Sequence, residues 1–265
     1  MKEIGFEGHG ISPNAVSEPF SLFTEEAIKQ IRAEVFSEPV LESCQRAPFT
    51  YDAWYCPEVL AKVSEVAGVD LVPVFDFDIG NVNISVNDPN STENGQGPDG
   101  SKCDNMSVFA WHYDSFPFVC VTMLSDCTGM IGGQTMIKTG TGENMKVRGP
   151  TMGTAVVMQS RYIEHQALKA LGDCERINMV TAFRPKSPFV KDEIIVTAVC
   201  ETSDLSELYS QYTMYRLEVL EERIRAKMKK ERKGGEAKRS FDVDDTRRFL
   251  IEQKEFLESM LEEIV

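Results

Sequence analysis

The sequence has little that would tie it to a membrane, a nucleic acid or an oxidising compartment. No run of 18 apolar residues occurs, which excludes a conventional membrane-spanning helix. Positive charge is in deficit: 28 Lys and Arg stand against 42 Asp and Glu, a formal net charge of −14. The molecule as a whole therefore repels phosphate backbones, and nucleic acid is not expected as a partner. The densest basic stretch, residues 223–233 (RIRAKMKKERK), has Glu221, Glu222 and Glu231 as acidic neighbours and reads as a solvated helix face. The seven cysteines form no Cys-x-x-Cys pair, which removes the usual thiolate cage for zinc. Their odd number, and the lack of an apolar leader in MKEIGFEGHG, point to reduced thiols in a cytoplasmic protein. Walker, Gly-x-Gly-x-x-Gly and Gly-x-Ser-x-Gly motifs are all missing. The Gly-containing segment 138–144 (KTGTGEN) lacks the Lys-Ser/Thr that cradles phosphate, so nucleotide hydrolysis is disfavoured. Histidine is scarce, with three residues in 265.

What is present suits a globular enzyme. Hydrophobic residues at 42% and charged residues at 26% are ordinary for a chain that buries a core. The expected organisation is a single domain, 1–265, in three parts: an arm and helices over 1–69, a β-rich core over 70–188, and a helical region over 189–265. Thr24 is placed to cap a first helix with Ala27, Ile28, Ile31 and Val35 on one stripe and Pro39 as its stop. A second helix has Pro57 in its first turn, Leu60, Val63 and Val66 on one face, and Gly68 as its stop.

From Asp70 to Arg184 the rhythm changes to short runs, LVPVFDF, NVNISVN, FVCVTML, GTAVVMQ and INMVTAF, separated by turn residues, as in a sandwich or barrel. The polar stretch from Asn87 to Asn105 is long enough to be a lid or a partly disordered loop. After Pro188, Asp204 and Glu207 suggest a capping box ahead of a stripe of Leu205, Leu208, Tyr212, Tyr215 and Val219. A linker at Gly234 and Gly235 then leads to a last helix with Phe249, Leu250, Phe256, Leu257, Leu261 and Ile264 on one side. This helical hairpin is expected to fold back on its own chain, with a homodimer through the C-terminal helices as the alternative.

Two of the three histidines stand in one arrangement. His112 and Asp114 form His-x-Asp, and His165 follows 53 residues after His112. Side chains two apart on a strand share a face, so His112 and Asp114 can chelate one ion while Tyr113 points away. A third ligand from a distant strand closes one triangular face of an octahedron and leaves three positions open, the facial triad of non-haem iron(II) oxygenases. His-x-Asp alone is a weak motif. It gains weight from the β-rich setting, the distal histidine just past GTAVVMQ and the arginines that follow. Asn81 and Asn83 share a face of NVNIS and could orient a co-substrate, and Thr122, Met123 and Thr135 could line a cavity. His9, in a Gly-rich arm, reads as a surface residue.

On WHYDSFPFVCVTMLSD (111–126), MIGGQT (130–135) and RYIEHQALKALGDCERINMVTAFRP (161–185), the chain resembles the iron(II)- and 2-oxoglutarate-dependent dioxygenases, in particular a group of fungal biosynthetic oxygenases. The resemblance implies a mixed α/β (α+β) fold with a double-stranded β-helix, or jelly-roll, core. It implies His112, Asp114 and His165 as catalytic metal ligands, with iron(II), 2-oxoglutarate and dioxygen as cofactor and co-substrates. It also places a basic residue about ten positions beyond the distal histidine to pair with the outer carboxylate of 2-oxoglutarate. Arg176, 11 beyond His165, is the first choice, with Arg184 in reserve; Asn83 and Thr135 complete the expected co-substrate contacts. A guanidinium suits the task because it grips a carboxylate at two points.

The expected substrate is a small metabolite, such as an amino acid or a derivative of one in secondary metabolism, oxidised at an unactivated C–H bond by hydroxylation, desaturation or a ring closure such as aziridine formation. Two other classes stand beside this: a cupin-like metal enzyme that does not use 2-oxoglutarate, and a non-catalytic β-domain that recruits partners.

Overall fold

Alternation of side chains along a few strands builds the core. In the computed structural model, which describes residues 1–43, 47–85, 110–147, 151–171 and 175–265, the chain forms two compact units, Met1–Pro185 and Lys186–Val265. The expected lid at 87–105 lies outside the described residues.

The first unit carries helices α1 (Glu25–Val35), α2 (Glu38–Ser43), α3 (Pro48–Tyr55) and α4 (Pro57–Ala67). Its strands are β1 (Phe20–Ser21), β2 (Leu71–Pro73), β3 (Asn81–Ser85), β4 (Phe118–Met123), β5 (Ile131–Gly132), β6 (Thr135–Lys138), β7 (Asn144–Val147), β8 (Thr154–Met158), β9 (His165–Ala167), β10 (Ala170–Leu171) and β11 (Arg176–Pro185). One antiparallel sheet runs β1-β8-β4-β11, with β2 and β3 end to end along the far side of β11. The second runs β7-β6-β9, continued outward by a bridge from His165 to His112; β5 and β10 extend β6 and β9 past an interruption at residues 133–134 and 168–169. The chain passes from β3 to the His112 bridge, to β4, to β5–β7, to β8, to β9 and β10, and to β11, changing sheets at every step. That interleaving is the double-stranded β-helix, a jelly roll.

Register decides which residues face the space between the sheets. Ile177, Met179 and Phe183 of β11, with Phe118 and Cys120 of β4 and Ala155 and Val157 of β8, pack against Ile28, Ile31, Trp54 and Val63 of the helices. The alternate set, Val119 with Val121 and Val180, meets Ile137 of β6, Met158 and Ile163 on the inner face. Strand β11 is buried along much of both faces, so apolar residues stand in both of its alternating sets. Thr24 caps α1 through its hydroxyl, and Gly68 ends α4 in the left-handed conformation, as expected. Pro39 behaves differently: α1 has already stopped at Phe36, and Pro39 sits in the first turn of α2, where its missing N–H costs nothing.

The N-terminal arm is docked rather than loose. Gln159, fully buried, accepts from the Ile11 and Ser12 amides at 2.8 and 3.2 Å and donates to the Ser12 and Asn14 carbonyls at 2.8 and 2.5 Å. Beyond it, Val16 bridges Met158 and β1 pairs with β8.

In the second unit, α5 (Leu205–Glu236) and α6 (Val243–Glu263) form an antiparallel hairpin. Tyr209 Oη donates to the Val265 carbonyl, Arg216 to the Phe256 carbonyl and Ser259, and Lys227 pairs with Asp245. Asp204 caps α5. The expected linker at Gly234 and Gly235 is helical instead. Each glycine costs a helix only ~1 kcal/mol, and the Lys227 and Lys230 contacts to Asp245 hold that end of α5. The buried face of α6 is Gln253, Phe256 and Met260, while Leu250, Leu257, Leu261 and Ile264 are exposed. The buried face is thus narrower than the stripe read from the sequence, and the Arg216 guanidinium covers it 3.5 Å from the Phe256 ring centroid. No described helix is long and apolar enough to cross a membrane.

Replacing Gln159 with Ala leaves two amides and two carbonyls of the arm without partners. Urea unfolding of the first unit is expected to show a loss of about 2–4 kcal/mol; a change below about 0.5 kcal/mol, the range of neutral surface substitutions, would mean the arm is not held this way.

Candidate metal centre

His112 and His165 are brought together by their backbones. The His112 amide donates to the His165 carbonyl at 3.0 Å and the His165 amide to the His112 carbonyl at 2.9 Å. Residues paired across antiparallel backbone present their side chains to the same side, and the two rings lie 4.4 Å apart, centroid to centroid. His165 also stands opposite Ile137 of β6, which points into the core between the sheets.

Asp114 does not continue a ladder as the alternation argument expects. Its amide donates to the Ser160 carbonyl at 3.2 Å, and Pro117 has no amide to offer, so the ligand-bearing segment is one bridge followed by a loop. The side chains converge all the same. Nε2 of His112 is 3.5 Å from Asp114 Oδ1, and Nε2 of His165 is 3.6 Å from Oδ2. One ligand atom from each residue fits within a span of 4.8 Å.

Both imidazoles are oriented for a metal. His112 Nδ1 contacts the Ala110 carbonyl at 2.8 Å and His165 Nδ1 the Ile163 carbonyl at 3.0 Å. A carbonyl can only accept, so each Nδ1 carries the proton, and in the neutral ring each Nε2 keeps the lone pair that a metal would use. Burial opposes ionisation of Asp114, but His112 and His165 in their protonated forms outweigh it and hold the carboxyl below its usual range. Burial lowers His165 against the pull of Asp114, whereas the hydrogen bond to Asp114 raises His112. Two imidazole nitrogens and a carboxylate, with no cysteine among them, form an open donor set that suits iron(II) and not a closed structural zinc site.

Between the two sheets lies a small cavity lined by residues of both, among them Val121, Met123, Thr135, Val156, Met158 and Arg176. The triad itself does not line it. Thr135 links the two: it pairs with Ala167, two residues along β9 from His165, or about 7 Å at strand spacing. Arg176 opens β11 on the cavity side, and Asn178, with its amide oxygen turned toward the guanidinium, accepts from Nη1 at 2.5 Å and Nη2 at 3.2 Å. Among the described residues no carboxylate pairs with Arg176, including Glu175 beside it, and burial lowers its pKa. Gly133 belongs to this arrangement: a Cβ there would meet Met130 Sδ at 2.8 Å and Arg176 Cδ at 3.1 Å, on a backbone at φ +67°.

The remaining expected residues are placed as follows. Asn83 stands opposite Asn178, on the same face of the sheet. Arg184 shares a face of β11 with Arg176 but lies eight residues on, about 26 Å along the strand, opposite Val72 of β2, and does not line the cavity. Tyr113 points outward and is 52% exposed, while Trp111 is half-buried with Lys138 Nζ 5.8 Å from its ring. Ser160, whose carbonyl accepts from the Asp114 amide, went unread in the sequence; nothing in RYIEHQ or its flanks announces it.

No protein-family model matches the sequence, and no curated protein matches it either. Solved structures do show similarity at low identity. The non-haem monooxygenase ThoJ, as its nickel complex, is 16% identical over 68% of this chain and 76% of that one, with a TM-score of 0.45. A prolyl-4-hydroxylase from Pseudomonas putida is 15% identical over 66% and 90%, at 0.42. HygX from Streptomyces hygroscopicus, with nickel and 2-oxoglutarate bound, is 13% identical over 64% and 82%, at 0.40. The fold stands on the strand order, and the chemistry on the triad, independently of these likenesses.

Calorimetric titration with a divalent ion such as nickel is expected to give one site, lost in Asp114→Ala and His165→Ala. Unchanged affinity in either triad variant would show that the ion, if any, sits elsewhere.

Proposed function

We propose that the protein is an iron(II)- and 2-oxoglutarate-dependent oxygenase acting on a small molecule. One observation carries this reading: two imidazoles, each with Nδ1 locked to a carbonyl, and one carboxylate converge in the same unit as a cavity lined by a part-buried guanidinium that has no carboxylate partner among the described residues. A three-ligand face leaves room for a bidentate acid and dioxygen, and the guanidinium waits for the acid's other end.

His112, Asp114 and His165 would hold the iron. When bound, iron(II) with 2-oxoglutarate and dioxygen supplies an oxidant able to remove hydrogen from an unactivated C–H bond, with succinate and carbon dioxide as co-products. The chain's residues position and exclude. Arg176 receives the outer carboxylate of the keto acid, and Asn178 keeps the guanidinium plane turned into the cavity. Thr135 lies between that guanidinium and the metal ligands and offers a hydroxyl along the way. Val121, Met123, Val156 and Met158 give apolar walls that keep water from the co-substrate. Asn83, opposite Asn178, extends the polar edge toward the mouth. The product class, whether hydroxylated, desaturated or cyclised, depends on which C–H bond the substrate presents.

Anaerobic addition of iron(II) and 2-oxoglutarate should produce a weak visible charge-transfer band that needs both components. Arg176→Met should raise the 2-oxoglutarate concentration required by about 10- to 100-fold, the loss of a charge-assisted hydrogen bond, while iron binding is kept. A cupin-like enzyme would turn over without the keto acid, and a purely structural β-domain would take up no iron; either result overturns the reading.

A further inference from the structure

The hairpin of the second unit leaves apolar surface in water along one side. On α5, Met214, Leu217, Ile224 and Met228 are each 41% or more exposed, and on α6, Leu250, Leu257, Leu261 and Ile264 are each 39% or more exposed. Both sets follow the three-four spacing of a heptad. Each is interrupted once, by a charged residue where a further apolar side chain would fall: Glu221 on α5 and Lys254 on α6.

The two stripes share a side of the hairpin. Arg216 and Arg223 of α5 meet Phe256 of α6, and Lys227 meets Phe249. Stripe residues follow these contacts by one position, Leu217, Ile224 and Met228 on α5, Leu250 and Leu257 on α6. One position is about 100° around a helix. Because α6 runs against α5 and faces it, the same step carries both stripes to the same side. The exposed side chains leave on the order of 700 Å² there, more than the ~300–600 Å² of the largest patch on a typical monomer and close to the ~800 Å² that each partner of a standard interface buries.

The charged interruptions say what covers this face. Contacts from Arg216 to Phe256 and from Lys227 to Asp245 fix the register of the hairpin, and they set Glu221 and Lys254 within one helical turn of the same height. A second copy turned about a two-fold axis parallel to the helices lays its α6 along α5, antiparallel, and brings its Lys254 to Glu221; symmetry repeats the contact on the other side. In the single chain Glu221 pairs with Arg225 at 2.6 Å and Lys254 with Glu258 at 3.3 Å, all on exposed surface, so both charges stay in water until a partner arrives.

We propose that this face is the interface of a homodimer, in which the two hairpins form an antiparallel four-helix bundle with Glu221 of each protomer set against the partner's Lys254. The apolar stripes supply the affinity and the paired interruptions the register. A lipid surface would use the apolar area but has no need of opposite charges at matching heights.

The test is the mass of the full-length protein in solution by sedimentation, over a range of concentrations. The expected species is a dimer, at twice the chain mass of 29.8 kDa. Leu217→Glu combined with Leu257→Glu, both at exposed positions, should weaken it by about 100-fold or more with helix content by circular dichroism unchanged. Glu221→Lys and Lys254→Glu should each weaken it by about tenfold, and the double swap, which restores opposite charges, should recover most of the loss. A chain that stays monomeric at every concentration, whether or not it adsorbs to lipid vesicles, overturns the proposal. So does a dimer indifferent to the leucine substitutions, or a double swap no better than its single members.

Discussion

The reciprocal pair of amide hydrogen bonds between His112 and His165 is the constraint on which the rest of the site depends. It is a single antiparallel bridge at the edge of the second sheet, and it exists because the chain crosses between sheets before β4 and again after β8. Once the two backbones are paired, their imidazoles must share a side, and each Nδ1 finds a carbonyl two residues back along its own chain segment, at Ala110 and Ile163. Asp114 then needs only a turn closed on Ser160 to bring its carboxylate between them. The jelly roll contributes two facing sheets whose edges meet where these ligands stand, and a core that makes their positions costly to change.

Much of this was legible in the residues. His112, Asp114 and His165 were recognisable because histidine is scarce and the spacing is that of strands returning to one edge. The faces of β11 were readable from period two: Arg176, Asn178, Val180 and Ala182 form one set and Ile177, Met179, Thr181 and Phe183 the other. Other features were not readable, for physical reasons that differ. Gly234 and Gly235 resemble a linker, but contacts from Lys227 and Lys230 to a helix that begins later in sequence keep them helical. Pro39 resembles a stop and serves as a start, since proline is tolerated in a first turn and the preceding helix has ended without it. The strand expected at Asp114 is a loop because its amide is taken by a carbonyl 46 positions away. Ser160 was missed because its contact with Asp114 depends on what folding sets beside it.

Arg176 supplies a part-buried cation with no carboxylate partner among the described residues, and a polar edge formed by β3 and β11 runs on from it through Asn178, Asn83 and Asn81. A partly desolvated charge without a counter-ion costs stability, and it suits a place that receives an acid.

X-ray absorption at the iron edge, on protein loaded anaerobically with iron(II) and 2-oxoglutarate, tests the central claim most directly. The account predicts two imidazole nitrogens and lighter oxygen donors in a six-coordinate shell, with one imidazole lost in His165→Ala. A shell containing sulfur, or one that is indifferent to that substitution, would contradict it.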